Sequence, residues 1–147
     1  MKMIKKFSTG FLVLTVFFLI SCGKDKDLTK SEVLLSTSWK LSRVTNPADS
    51  KTIDQSRLGV MTAAIFQMSI QFRDNNIVRA LSETNQVLNA GTWKFTNDET
   101  YVSVDVTGFK GDFKVVELKK GSLILQQPNV PVDGKEQAAN LEFTATN

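Results

Sequence analysis

At 147 residues, 41% hydrophobic and 22% charged, the chain is long enough for one domain with a buried core and too short for two. Its formal charge of +3 comes from 18 basic and 15 acidic residues, with no histidine and one cysteine. Histidine bases and histidine-activated nucleophiles are excluded, no zinc-binding constellation is present, and no basic stripe marks a nucleic-acid surface.

The chain opens with Lys2, Lys5 and Lys6, an apolar run from Phe11 to Ile20, then Ser21 and Cys22. Charged, then apolar, then small is the order of an export signal, and the run falls short of the roughly 20 apolar residues that span a membrane. Leu19-Ile20-Ser21-Cys22 resembles the lipobox of bacterial lipoproteins. That resemblance implies a diacylglycerol on the Cys22 sulfur and cleavage between Ser21 and Cys22. Residues 1–21 are then a removed signal, 22–28 the lipidated cysteine with a flexible tether, and 29–147 the folded domain. Removal of the three lysines leaves basic and acidic residues equal in number, so attachment is expected from acyl chains rather than charge. Gly23-Lys24-Asp25-Lys26-Asp27 is polar and lacks apolar periodicity, as a tether does. It also resembles the short charged surface-export signal of Bacteroidetes lipoproteins, with Lys26 separating the two acids. The expected location is the outer membrane, facing either the periplasm or the cell surface.

Past the tether, Thr29 and Glu32 have capping-box spacing before Val33, Leu34 and Leu35, which predicts a short helix plugging one end of the domain. From Ser38 the pattern alternates: Trp39, Leu41 and Arg43 share one face of a first strand that ends at Asn46-Pro47. Leu58, Met61 and Ile65, spaced by three and four, predict a helix over Ile53 to Ala64. Phe66, Met68, Ile70 and Phe72 then alternate as a second strand. Asp74-Asn75-Asn76 turns the chain into a third, Ile77 to Ser82, with Arg79 between Ile77 and Leu81. Gly91 to Phe95, Tyr101 to Thr107, Phe113 to Leu118 and Leu123 to Gln127 supply four more, the last two joined by a three-residue hairpin over Lys119-Lys120-Gly121. Pro128 to Glu136 is expected as a loop, and Leu141, Phe143 and Ala145 as the last strand.

About eight short strands with little helix define an all-β fold. An antiparallel up-and-down barrel removes both sheet edges and is the leading architecture, with a β-sandwich of the same strands as the alternative. Leu34 to Leu41, Gly91-Thr92-Trp93-Lys94-Phe95 and Phe113 to Leu118 running into Leu123-Ile124-Leu125 resemble the lipocalin-like lipoproteins of Bacteroidetes. That resemblance implies a small barrel that binds a small hydrophobic molecule.

Candidate ligand-binding residues are Trp39, Leu41, Phe72, Trp93 and Phe95, which are core residues that could also line a cavity, together with Arg43 and Arg79. An arginine among apolar residues suits a carboxylate or phosphate, or else lies at the rim or pairs with Glu83 or Glu117. The Ile53 to Ala64 helix is either a lid over the barrel mouth or a plain plug. Asp25, Asp27 and Thr29 alternate as in a calcium loop, but Lys30 stands where glycine is required, so no metal is expected. Asp105 and Glu117 would be the carboxylate pair of an enzyme only if adjacent strands brought them together. No catalysis and no cofactor are expected. Two functions remain: a lipid-anchored barrel binding a small apolar or amphipathic molecule inside, or an interaction lipoprotein docking an envelope or host protein through its outer surface. The first needs a cavity and the second an exposed apolar patch.

Overall fold

The computed structural model describes residues 27–146; Ser21, Cys22 and the rest of the lipobox stretch lie outside them. Thr29 caps the first helix, α1 (Lys30–Leu35): its hydroxyl accepts from the Glu32 N–H, and the Glu32 carboxylate accepts from the Thr29 N–H. This is the capping box that the spacing predicts, and the hydrogen bonds from Thr29 hold the Glu32 carboxyl below the usual range. Leu34 is buried beneath the helix, and its carbonyl accepts from the Trp39 indole N–H at 2.9 Å. That bond fastens α1 across the end of the barrel where the first strand begins.

Eight strands follow: β1 (Ser38–Thr45), β2 (Ser69–Arg73), β3 (Ile77–Leu81), β4 (Val87–Thr96), β5 (Tyr101–Val106), β6 (Phe109–Lys119), β7 (Ser122–Val132) and β8 (Lys135–Thr146). Each pairs antiparallel with the next, and β8 pairs back onto β1, closing the barrel. Closure rules out the sandwich and is the lipocalin-like architecture implied by the resemblance. Tight turns make the meander work. Asn75 and Asn76 both adopt positive φ between β2 and β3, as asparagine tolerates. Lys119 pairs directly with Ser122, so the β6–β7 connection has two residues, Lys120 and Gly121, rather than the expected three.

Three further expectations need correcting. Pro128 to Glu136 is not a loop: β7 and β8 continue through it to an Asp133-Gly134 turn in which both residues have positive φ, the two-residue hairpin geometry, and Val132 pairs with Lys135. Pro128 sits in the register irregularity between Gln127 and Val130, where its missing N–H is tolerated. The stretch 53–64 is not one helix. It breaks into a 3₁₀ turn (Gln55–Arg57), an extended Leu58 bridged to Val132, and a short helix α2 (Val60–Ala64) that passes into a second 3₁₀ turn (Ile65–Gln67). The Gly59 N–H donates to the Pro131 carbonyl at 2.9 Å, a bond to the neighbouring hairpin that competes with helix continuation. As a result β2 begins at Ser69, not Phe66, and Met61 faces outward, 65% exposed.

The third correction concerns Arg43. Leu41 lies opposite Phe143 but Arg43 lies opposite Glu142, so Ser42 is an extra residue in β1. This bulge reverses the alternation and turns Val44 inward in place of Arg43. The inward faces then supply one continuous core that includes Trp39, Leu41, Val44, Ile70, Phe72, Val78, Val102, Phe109, Phe113, Leu125 and Leu141. Each of these is at most 2% exposed, so the centre of the barrel is filled by side chains. Burying about 200 Å² of one tryptophan contributes on the order of 5 kcal/mol, an upper figure because the unfolded chain already buries some of it.

Glycine is required where β4 crosses β5. A Cβ on Gly91 would lie 1.8 Å from the Asp105 carbonyl oxygen and 2.9 Å from Val106 Cα, both fixed backbone. Gly91→Ala is therefore expected to cost about 3 kcal/mol or more, read as a lowered urea midpoint, and an unchanged midpoint would contradict the close crossing.

Candidate functional site

The strands run alternately between two ends. α1 closes the end formed by Ser38, Arg73 and Thr96, while the 46–67 segment and the β7–β8 tip close the other. That second closure is fastened at four points. Ile53 N–H donates to Val44 O at 2.8 Å, Gly59 N–H to Pro131 O at 2.9 Å, and Asp133 N–H to Arg57 O at 2.8 Å. The Arg57 guanidinium grips the Asp133 carboxylate through Nε at 2.9 Å and Nη2 at 2.6 Å. It holds the Asp133 carboxyl below the usual aspartate range, and Asp133 in turn raises Arg57.

Between this closure and the barrel rim lies a cleft of about 280 Å³. Its apolar lining is Met61 and Ile65 from the α2 segment, Phe109 and Phe113 from β6, and Pro131 from β7; Thr62, Lys110, Gln127 and Asn129 add polar groups. Phe109 and Phe113 stack with centroids 4.7 Å apart, and Phe109 meets Phe143 edge-on at 5.8 Å, so the floor is built of packed aromatic rings. Met68 packs beside Gly108 at the β5–β6 turn. The arrangement is a shallow apolar floor at the barrel mouth with a polar rim and one ammonium. It holds no residue arrangement for nucleophilic attack.

The candidate residues read from the sequence divide into three groups. Trp39, Leu41 and Phe72 come together, but as packed core with no space for a ligand. Trp93 and Phe95 join Phe72 in a chain of edge-on aromatic contacts of 5.4 and 5.5 Å, and the Trp93 indole donates to the Arg73 carbonyl at 3.0 Å. Both arginines lie outside the barrel. Arg43 pairs with Glu142, whose other oxygen accepts from the buried Thr45 hydroxyl. Arg79 is half-buried on the outer wall because Val78 and Ala80 are the inward residues of β3. Glu83 pairs with Lys40 and Glu117 with Lys119, so neither serves an arginine. Asp105 faces Lys110 across the β5–β6 ladder while Glu117 lies opposite Ile124, so the two carboxylates are not neighbours. Sequence periodicity missed the mouth cleft, since its walls come from a segment without helical or strand period and from a hairpin expected as a loop.

No family model matches the chain, and no curated protein matches it. Among solved structures it is similar to a lipocalin-like protein from Bacteroides uniformis, at 16% identity and a TM-score of 0.47, covering 77% of this chain and 99% of that one. It is also similar to a DUF4847-family protein from Bacteroides vulgatus, at 13% identity and a TM-score of 0.48, covering 79% and 96%. At these levels the likenesses carry nothing about activity.

The Arg57–Asp133 clasp has a pH dependence of definite sign. Because the folded-state Asp133 carboxyl is lowered, its contribution is present above the ordinary aspartate value and lost as pH falls through the lowered one, below roughly 4. Exchange protection of the Gly59 and Asp133 amides is expected to hold from neutral pH down to about 5 and to fall under about 4. Asp133→Asn should show the weakened protection already at pH 7, and a variant protected like the parent would remove the clasp from the account.

Proposed function

We propose that this protein is a non-enzymatic lipoprotein, anchored in the outer membrane through Cys22, whose lipocalin-like barrel binds a small amphipathic molecule in the cleft at its mouth. The observation that carries this reading is the juxtaposition of Met61, Ile65, Phe109, Phe113 and Pro131 with Lys110, Gln127 and Asn129 around one opening. Apolar lining with a few convergent polar groups is what small-molecule sites present, and about 280 Å³ admits a small ligand or one end of a longer one. The packed interior directs the ligand to the mouth rather than to the centre. Attachment rests on the lipobox resemblance. With α1 at the start of the domain, a tether from Cys22 would leave the cleft at the end of the barrel away from the membrane.

The alternative, docking of an envelope protein, is favoured by one observation. Val87 and Leu88 are 52% and 53% exposed at the start of β4, where residues up to Ala90 pair with β3 but have no partner in β5. An apolar strand edge of that kind invites an added strand.

Native mass spectrometry of the protein isolated from its own envelope tests both parts of the proposal. The expected spectrum shows acyl mass on Cys22 and a further mass that leaves on denaturation. Met61→Asp, at an exposed position, and Phe109→Leu, at the floor, are each expected to weaken rebinding of the released molecule about tenfold. An unmodified Cys22 would overturn the anchor. Unchanged rebinding in both variants would overturn the mouth site.

A further inference from the structure

The outer wall around Arg79 carries a second, separate cleft. On β3, Arg79 and Leu81 face outward, opposite Gln71 and Ser69 of β2. The β3–β4 turn folds back over this wall: Ser82 N–H donates to Gln86 O, Asn85 N–H to Ser82 O, and Glu83 reaches across to Lys40 of β1 at 3.6 Å. Under the turn, Leu81 is only 5% exposed although it lies on the outer wall. Beside it opens a cleft of about 290 Å³ lined by Ser38, Gln71, Arg79, Leu81, Asn85 and Val87.

Arg79 differs from the other arginines of the described residues. Arg43 pairs with Glu142, Arg57 with Asp133, and Arg73 donates to Gln71 at 3.4 Å. Arg79 is half-buried and has no ion pair or side-chain hydrogen bond among the described residues. A guanidinium beside an apolar wall whose planar fork lacks a protein counter-ion favours an oxyanion. Lys40 is already matched by Glu83, and Arg79 is the one charged side chain that lines the cleft itself, which suits a single carboxylate. Leu81 and Val87 supply apolar wall, and Ser38, Gln71 and Asn85 supply hydroxyl and amide donors.

We propose that this cleft binds a small monocarboxylate with a short apolar tail, its carboxylate on the Arg79 guanidinium and its tail against Leu81 and Val87. The site lies on the outer wall, apart from the mouth cleft, and does not rest on the function proposed there.

Equilibrium dialysis of radiolabelled hexanoate against the lipidated protein in nanodiscs, with empty nanodiscs as blank, tests the assignment. One equivalent of hexanoate that depends on Arg79 is expected to bind. Hexanol, which keeps the tail without the charge, and inorganic phosphate, which keeps charge without the tail, should each compete at least tenfold less well. Arg79→Gln should weaken hexanoate at least tenfold and Arg79→Lys by less, while Arg43→Gln leaves it unchanged. Val87→Glu, at an exposed position the fold tolerates, should abolish binding by placing a like charge at the rim. Absence of hexanoate binding, equal competition by hexanol or phosphate, or binding indifferent to Arg79→Gln would each overturn the proposal.

Discussion

The ladder between the first and last strands is the constraint on which the molecule depends. β8 pairs with β1 from Ser38↔Thr146 to Thr45↔Asn140, with Leu41 opposite Phe143 and Val44 opposite Leu141. Without that pairing, two long hydrophobic strands would present free edges, and the inward faces of all eight would open to water. The bulge at Ser42 lets the ladder close without forcing a charge inside. It turns Arg43 out to Glu142, and the Ser42 hydroxyl and Thr45 hydroxyl complete the hydrogen bonding of that outer patch. Among the described residues, no buried side-chain polar atom is left without a partner.

Closure also decides where ligands have room. Eight strands make an interior that side chains either fill or leave just wide enough for one small guest. Here Trp39, Phe72, Phe109 and Phe113 are among the largest fully buried side chains, and their volume takes up the interior. Space is left at the margins: the mouth beneath α2, and the outer wall under the β3–β4 turn. Both clefts form where an irregular segment folds back onto regular strands. The mouth cleft depends on a closure fastened by hydrogen bonds, one ion pair and the burial of Ile53, Leu58 and Ile65.

Much of this was legible in the sequence because its signals are local. Thr29 and Glu32 at capping-box spacing gave α1, the alternation around Ile70 and Phe72 gave β2, and Asn75-Asn76 gave a turn with positive φ. The failures share one physical cause: a local pattern was overruled by a partner distant in sequence. Ser42 is extruded because β8 fixes the register of β1, and Val116 falls at a similar shift between Val115 and Glu117 in β6. Period-two reading across a bulge assigns every later side chain to the wrong face, which is why Arg43 shares a face with Trp39 and Leu41 in the sequence pattern but not in the barrel. Leu58, Met61 and Ile65 have helical spacing, yet the hairpin tip pulls Leu58 and Gly59 into extended pairing. Arg79 shares a face with Ile77 and Leu81, as expected, but that face is the outer wall, because Val78 and Ala80 carry the inward contacts. The mouth cleft was invisible for the same reason, as its lining is assembled from α2, β6 and β7 with no shared period.

The central claim is that the barrel interior is packed, which puts the proposed binding at its margins. The most direct measurement is a crystal structure under xenon pressure, since xenon enters apolar voids that water leaves empty. The account predicts no xenon among Trp39, Leu41, Phe72 and Leu125, with any bound atom confined to the mouth beside Met61 and Phe109. A xenon atom enclosed by those central side chains would contradict it and return the ligand to the interior of the barrel.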